Sequence, residues 1–169
     1  MSAAASGAGG GARIKVYLIL KRKFVRTAFS GEGARRYGGR WNSPGTSIVY
    51  TSNVISLAIL DWRCHLTQWP APSAVLIEIE FDGSLVWSPP KLPAIWRRFP
   101  SPKENAAVGD NWVRSGKSAV QRVPSALVPK EHEEYNYLLN PANPDFKLIK
   151  IGKPQVFKPD ARLGPLASA

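Results

Sequence analysis

The stretch Ser30-Gly-Glu-Gly-Ala-Arg-Arg-Tyr-Gly-Gly-Arg-Trp-Asn-Ser-Pro-Gly45 gathers glycines, cations, aromatics and small polar residues in one short segment. Arg40 offers a planar fork of donors suited to a phosphate or a carboxylate. Trp41 supplies an aromatic wall, and Gly38-Gly39 permits positive φ and close approach of the backbone to a ligand. Asn42-Ser43-Pro44-Gly45 reads as a tight turn. Ile48-Val49-Tyr50 is then short, apolar and β-prone, so Tyr50 is expected to end a strand near whatever Arg40 holds. The pattern is that of a binding mouth for an anion.

Two more residues have reactive types at unusual places. Asp61 falls on an otherwise apolar helical face, and Ser125 falls where Pro124 breaks a β-prone run. Gathered with Arg40, they would make a site of cation, carboxylate and hydroxyl. Each also has a structural reading: Asp61 as an acid paired with a core arginine or with His65, Ser125 as a hydroxyl satisfying a buried backbone group. Other chemistries fit less well. His65 and His132 lie far apart with no HxxxH or HExxH spacing, so no zinc hydrolase is indicated and no metal is expected. The glycines match neither a P-loop nor GxGxxG, and no nucleophile elbow is present. Cys64, the single cysteine, reads as a core thiol and excludes an intramolecular disulfide.

Several elements must position these residues. Arg13 to Leu20 favours a first strand closed by Lys21-Arg22-Lys23, and the Arg40 segment follows as a loop. Ser52 or Asn53 is placed to cap a helix through Val54, Leu57, Ala58, Asp61 and His65, stopped by Pro70 and Pro72. Ala74 to Phe81 alternates as the clearest strand, before an Asp82-Gly83 turn. Residues 88–103 read as a proline-rich loop and Asn105 to Ser118 as a helix with Trp112 inward. Ala119 to Pro129 reads as an edge or bulged strand, and Phe146 to Ile151 as a late one. Strands outnumber helices with no βαβ rhythm, so the class is α+β: a single compact domain with mixed or antiparallel sheets and a few helices.

The chain of 169 residues suits one domain, enough to bury roughly 70% of its unfolded surface. Residues 1–12 lack the apolar core of a signal peptide and read as a flexible tail. No apolar run approaches the roughly 20 residues that span a bilayer, which points to a soluble cytoplasmic protein. The net charge is +11, and residues 13–40 hold nine Lys or Arg against Glu32 alone. Such a bias attracts polyanions, phosphorylated small molecules or an acidic protein partner, without choosing among them.

The residues also carry a resemblance. Phe29 to Gly45, Val49-Tyr-Thr-Ser52, the helix from Asp61 to Leu66, Val123-Pro-Ser-Ala126 and Asn136-Tyr-Leu-Leu-Asn-Pro-Ala-Asn-Pro-Asp145 resemble the RES-domain toxins of bacterial type II Xre–RES toxin–antitoxin systems. The likeness runs from about Ile14 to Ile151, so that 13–169 is expected to be the RES domain. The family is named for an Arg, a Glu and a Ser. Arg40 matches the arginine, Tyr50 an associated tyrosine and Ser125 the serine, whereas the glutamate position holds Asp61. A further family arginine, near the end of the first strand, falls on Leu18.

The resemblance implies a fold similar to ADP-ribosyltransferases and NAD+ as substrate, cleaved at the nicotinamide–ribose bond with transfer to a protein, water or phosphate. It assigns Arg40, Tyr50, Asp61 and Ser125 to catalysis, and Arg40, Trp41, Asn42, Tyr50 and Ser125 to holding NAD+. It implies growth arrest and an Xre-family antitoxin that blocks the site, with DNA engaged only through that antitoxin. Two alternatives stand beside this reading. One is a catalytically weakened relative that mainly binds its antitoxin; the other is an RNA-binding or RNA-cleaving toxin using the basic 13–40 segment.

Overall fold

The computed structural model describes residues 11–69, 71–129, 132 and 134–164, so most of the expected N-terminal tail lies outside the described residues. Strand β1 (Arg13–Lys21) leads through a 3-10 segment to helix α1 (Glu32–Tyr37), strand β2 (Val49–Ser52) and helix α2 (Ile55–Cys64). Strands β3 (Ala74–Asp82) and β4 (Val86–Trp87) precede helix α3 (Lys103–Ser115). Strands β5 (Val120–Pro124), β6 (Tyr135–Leu139), β7 (Lys150–Ile151) and β8 (Gln155–Phe157) complete the described chain. The strands form one sheet in the order β4-β5-β6-β2-β1-β3-β7, with β8 also on β3, and only β4 and β5 run parallel. The class is α+β, as the sequence indicates.

Alternation explains the best-formed part. β1 and β3 pair over their whole lengths, Arg13 opposite Asp82 through Lys21 opposite Ala74. Val16, Ile77, Ile79 and Phe81 turn one face inward and are at most 1% exposed, each contributing about 1.5–3 kcal/mol by burial. β6 serves two layers by the same period of two. Tyr137 and Leu139 join Val16, Val120 and Phe81, while Leu138 joins Trp41, Trp96, Trp112 and Val123 on the α3 side.

The sheet is nearly divided. β2 is held by β6 at four residue pairs, Val49 opposite Leu139 to Ser52 opposite Asn136, but meets β1 only at Ser52 opposite Tyr17. β2 ends at that junction, and its preceding residues diverge from β1, leaving space that side chains and loops must line.

Several expectations are corrected. The 30–45 segment is not all loop, because Glu32 accepts hydrogen bonds from Arg35 and Arg36 and Ser30 Oγ accepts from the Glu32 N–H, which favours a short helix. Neither Ser52 nor Asn53 caps α2, whose N-cap is Val54. Ser52 is spent in β2, and Asn53 Oδ1 accepts from Tyr135 N–H. α2 ends at Cys64, well before the expected prolines, and leaves that thiol exposed rather than in the core. β5 is no edge strand, since β4 covers Val120 and Gln121 on the side away from β6. The expected strand over 146–151 shrinks to two residues, because Asn143 Oδ1 accepts from Asp145 N–H and Pro144 starts a 3-10 segment over Pro144–Leu148.

Helix α3 seats the Arg40 segment. Asp110 Oδ1 accepts from Ser43 N–H at 3.0 Å. Gly109 lies so close to the Trp41 carbonyl that a Cβ there would collide with its oxygen and stand 3.1 Å from Ile48 Cδ1. Gly109→Ala is expected to cost about 1–3 kcal/mol of unfolding free energy by overpacking, read from the urea midpoint. An unchanged midpoint would show that the helix does not press on this turn.

Candidate active site

A cleft of about 790 Å³ opens where β1 and β2 part. Tyr17, Leu18 and Ile19 line it from β1, Tyr50 and Ser52 from β2, Asp61 and His65 from the α2 side, and Asn136 from β6. α1, the Arg40 turn, residues near Phe99 and Leu127, and Ala58, Trp62 and Cys64 of α2 supply the rest.

Arg40 sits in a four-residue turn closed by Gly39 N–H donating to the Asn42 carbonyl at 2.9 Å. The turn is built on a buried polar latch. Asn42, 1% exposed, donates its amide to the Ala34, Ser43 and Thr46 carbonyls and accepts from the Tyr50 hydroxyl at 2.7 Å. The same hydroxyl accepts from Trp41 N–H at 3.1 Å. Gly39 packs against it, where a Cβ would lie 2.6 Å from Tyr50 Oη; the close approach expected of the glycines is made here to protein, not to a ligand. Burial raises the Tyr50 pKa, keeping the phenol neutral and able to both donate and accept.

Arg40 itself donates from Nη1 to the Trp96 and Arg98 carbonyls at 2.7 and 3.1 Å. Among the described residues its Nε and Nη2 make no protein hydrogen bond. Burial and the neighbouring Arg97 charge lower its pKa, although a guanidinium stays charged at any physiological pH. The two cations repel, and an anion bound at Arg40 would offset that repulsion. Arg97 stacks over Trp96 and donates to the Ser125, Ala126 and Val128 carbonyls. The two arginines thus tie three loops to one another.

Asp61 is held on one oxygen only. Oδ2 accepts from Ser52 Oγ at 2.7 Å and from Asn136 Nδ2 at 2.8 Å, leaving Oδ1 with no protein partner among the described residues. Burial raises the Asp61 pKa, opposed by the bonds from Ser52 and Asn136 and by His65.

The structure therefore brings Arg40, Tyr50 and Asp61 to one cleft. It does not bring Ser125: that residue is 2% exposed, its Oγ accepts from Leu127 N–H, and its neighbours Ala126 and Leu127 line the cleft instead. The serine that reaches the carboxylate is Ser52. Trp41 contributes to the wall but is 1% exposed, packed against Trp96 at 5.8 Å. Asn42 lies beneath the cleft as the latch of the turn. Sequence reasoning missed Ser52 and Asn136 as partners of Asp61. Their signals were polarity inside apolar strands and the i, i+2 relation of Ser52 to Tyr50, which places both on one face of β2.

Comparison with known proteins gives the family. A model described as RES domain matches residues 15–160. The chain is 36% identical over 148 residues to the Prs ADP-ribosylating toxin of Sphingobium sp., covering 84% of this chain and 90% of that protein. It is 34% identical over 152 residues to Toxin Res of Yersinia enterocolitica, covering 88% and 98%. It is 35% identical over 155 residues to Toxin Res of Photorhabdus laumondii, covering 88% and 96%.

Two stability outcomes follow from this geometry. Tyr50→Phe strands Trp41 N–H and Asn42 Oδ1 and is expected to lose about 1–3 kcal/mol, measured by denaturant unfolding. For Asp61, a folded pKa above the unfolded one means that ionisation opposes folding. The cost is absent below the unfolded carboxyl pKa and complete above the folded one. Asp61→Asn keeps an oxygen for Ser52 and Asn136, so it should melt at or above wild type near about pH 7, with the advantage shrinking toward about pH 4. An advantage that instead grows on acidification would refute that electrostatic account.

Proposed function

The chain belongs to the RES domain family, and on that premise we propose that it is the toxin of a bacterial toxin–antitoxin pair that consumes NAD+ by breaking the nicotinamide–ribose bond. One observation carries the reading: a half-buried carboxylate with one fixed and one free oxygen lines the same cleft as an arginine crowded by a second cation. NAD+ needs both. Its pyrophosphate is an anion for Arg40, with Arg97 adding to the local field. Its ribose develops positive charge as the bond to the nicotinamide nitrogen lengthens. The free oxygen of Asp61 accepts from a ribose hydroxyl and stabilises that charge, while Ser52 and Asn136 keep the carboxylate aimed.

Tyr50 acts through the turn, fixing the Arg40 backbone by way of Trp41 and Asn42. Tyr37 and Phe99 stand at the cleft 81% and 91% exposed, and supply faces for the two base rings. The relative named as an ADP-ribosylating toxin supports transfer to a protein acceptor, with water and phosphate as the other acceptors of this chemistry. In the cell the reaction would arrest growth in the cytoplasm until a cognate Xre-family antitoxin covered the cleft, with DNA engaged only through that partner.

A second reading is favoured by Leu18, which lines the cleft where the family carries arginine, and by the shorter Asp61: a weakened enzyme that mainly holds its antitoxin. Antitoxin-free protein incubated with NAD+ and lysate, with products followed by mass spectrometry, separates the two. Nicotinamide release with ADP-ribose free or on a protein is expected, reduced about a hundredfold or more in Arg40→Ala and Asp61→Ala. Silence in wild type with activity in Asp61→Glu would select the weakened enzyme. Unaltered NAD+ and proteins in every variant would end the NAD+ reading.

A further inference from the structure

His65 closes helix α2 one turn beyond Asp61, and its ring folds back onto the helix. The His65 backbone N–H donates to the Trp62 carbonyl rather than to that of Asp61, which leaves the Asp61 carbonyl without its usual i+4 partner. The ring takes that place, with Nδ1 2.7 Å from the Asp61 carbonyl oxygen. A carbonyl oxygen can only accept, so Nδ1 carries the hydrogen. In the neutral ring Nε2 is then the basic nitrogen. Among the described residues Nε2 has no hydrogen-bond partner, and His65 lines the same cleft as Asp61 while remaining exposed. Positions i and i+4 share a helix face, about 5–6 Å apart at Cβ, so the base stands beside the carboxylate with its orientation already set.

We propose that His65 is the general base that activates the acceptor, and that the acceptor therefore bears a hydroxyl proton, as water or a protein side chain, rather than being orthophosphate. This rests on the NAD+-cleaving reading. In the step, the acceptor oxygen forms a bond to the ribose C1′ while the bond from C1′ to the nicotinamide nitrogen breaks. The bonding pair passes to the ring and leaves nicotinamide neutral. The hydroxyl proton goes to Nε2 of the exposed ring. Exposure lets the ring return the proton to solvent. Orthophosphate, already an anion at neutral pH, would gain nothing from such a base.

The test measures NAD+ cleavage by antitoxin-free wild type, His65→Gln and His65→Gly, with lysate protein as acceptor and with added orthophosphate in parallel. His65→Gln is expected to lose about a hundredfold in kcat with the KM for NAD+ unchanged. Added imidazole should restore turnover to His65→Gly in proportion to its free-base concentration. Thermal melting of both variants checks that they fold, since the ring also satisfies a helix carbonyl. Wild-type kcat in His65→Gln, folded His65→Gly that imidazole fails to rescue, or wild-type use of orthophosphate as the main acceptor would each overturn the assignment while leaving NAD+ cleavage standing. A wild type that does not cleave NAD+ at all would overturn both.

Discussion

The cleft depends on the single residue pair, Tyr17 opposite Ser52, through which β1 and β2 remain in one sheet. A continuous ladder there would bring the two strands to about 4.8 Å along their whole length and leave no room for a ligand. With one pair retained, the halves are held in register while their unpaired edges diverge. Ser52 occupies both roles: its backbone makes the junction and its hydroxyl holds Asp61. The site is thus placed by the same residue that keeps the sheet whole.

Buried and half-buried polar groups do the positioning around that junction. Asn42 satisfies three carbonyls, one on α1 and two on its own turn, and one phenol, and Arg40 and Arg97 bind the carbonyls of the loops near Phe99 and Leu127. Such networks stabilise only when every member is paired, which makes their geometry specific. Two side chains depart from this rule: Arg40, whose Nε and Nη2 make no protein hydrogen bond among the described residues, and Asp61, which retains an unpartnered oxygen and a pKa raised by burial. A charge kept under-satisfied costs stability and leaves an interaction for a bound molecule to complete.

The basic segment is less available than its composition suggests. Arg35 and Arg36 share Glu32, while Arg13 and Lys15 face Glu80 and Glu78 across β1 and β3. These exposed pairs contribute little to stability, but they disperse the charge of residues 13–40. Lys21, Arg22 and Lys23 line a shallow depression with Gln68, Pro72 and Ser73, away from the cleft residues. The cation that matters for the candidate chemistry is Arg40, set apart by burial and by its neighbour Arg97.

Local pattern fixed what has a short-range cause. The alternation of Val75, Ile77, Ile79 and Phe81 made β3 legible because a half-buried strand must repeat every two residues. The inward Trp112 of α3 and the break at Pro124 follow from equally local rules, and the motifs around Arg40, Tyr50 and Asp61 identified the family. Tertiary structure decided which polar residues meet. Ser52 and Asn136 reach Asp61 across nine and seventy-five residues, whereas Ser125, singled out by motif, turns its hydroxyl to its own loop. Residue types carry the capacity for hydrogen bonds and charge. Strand order, and the single pairing between β1 and β2, determine the partners, because distances set by a fold cannot be read from separation along the chain.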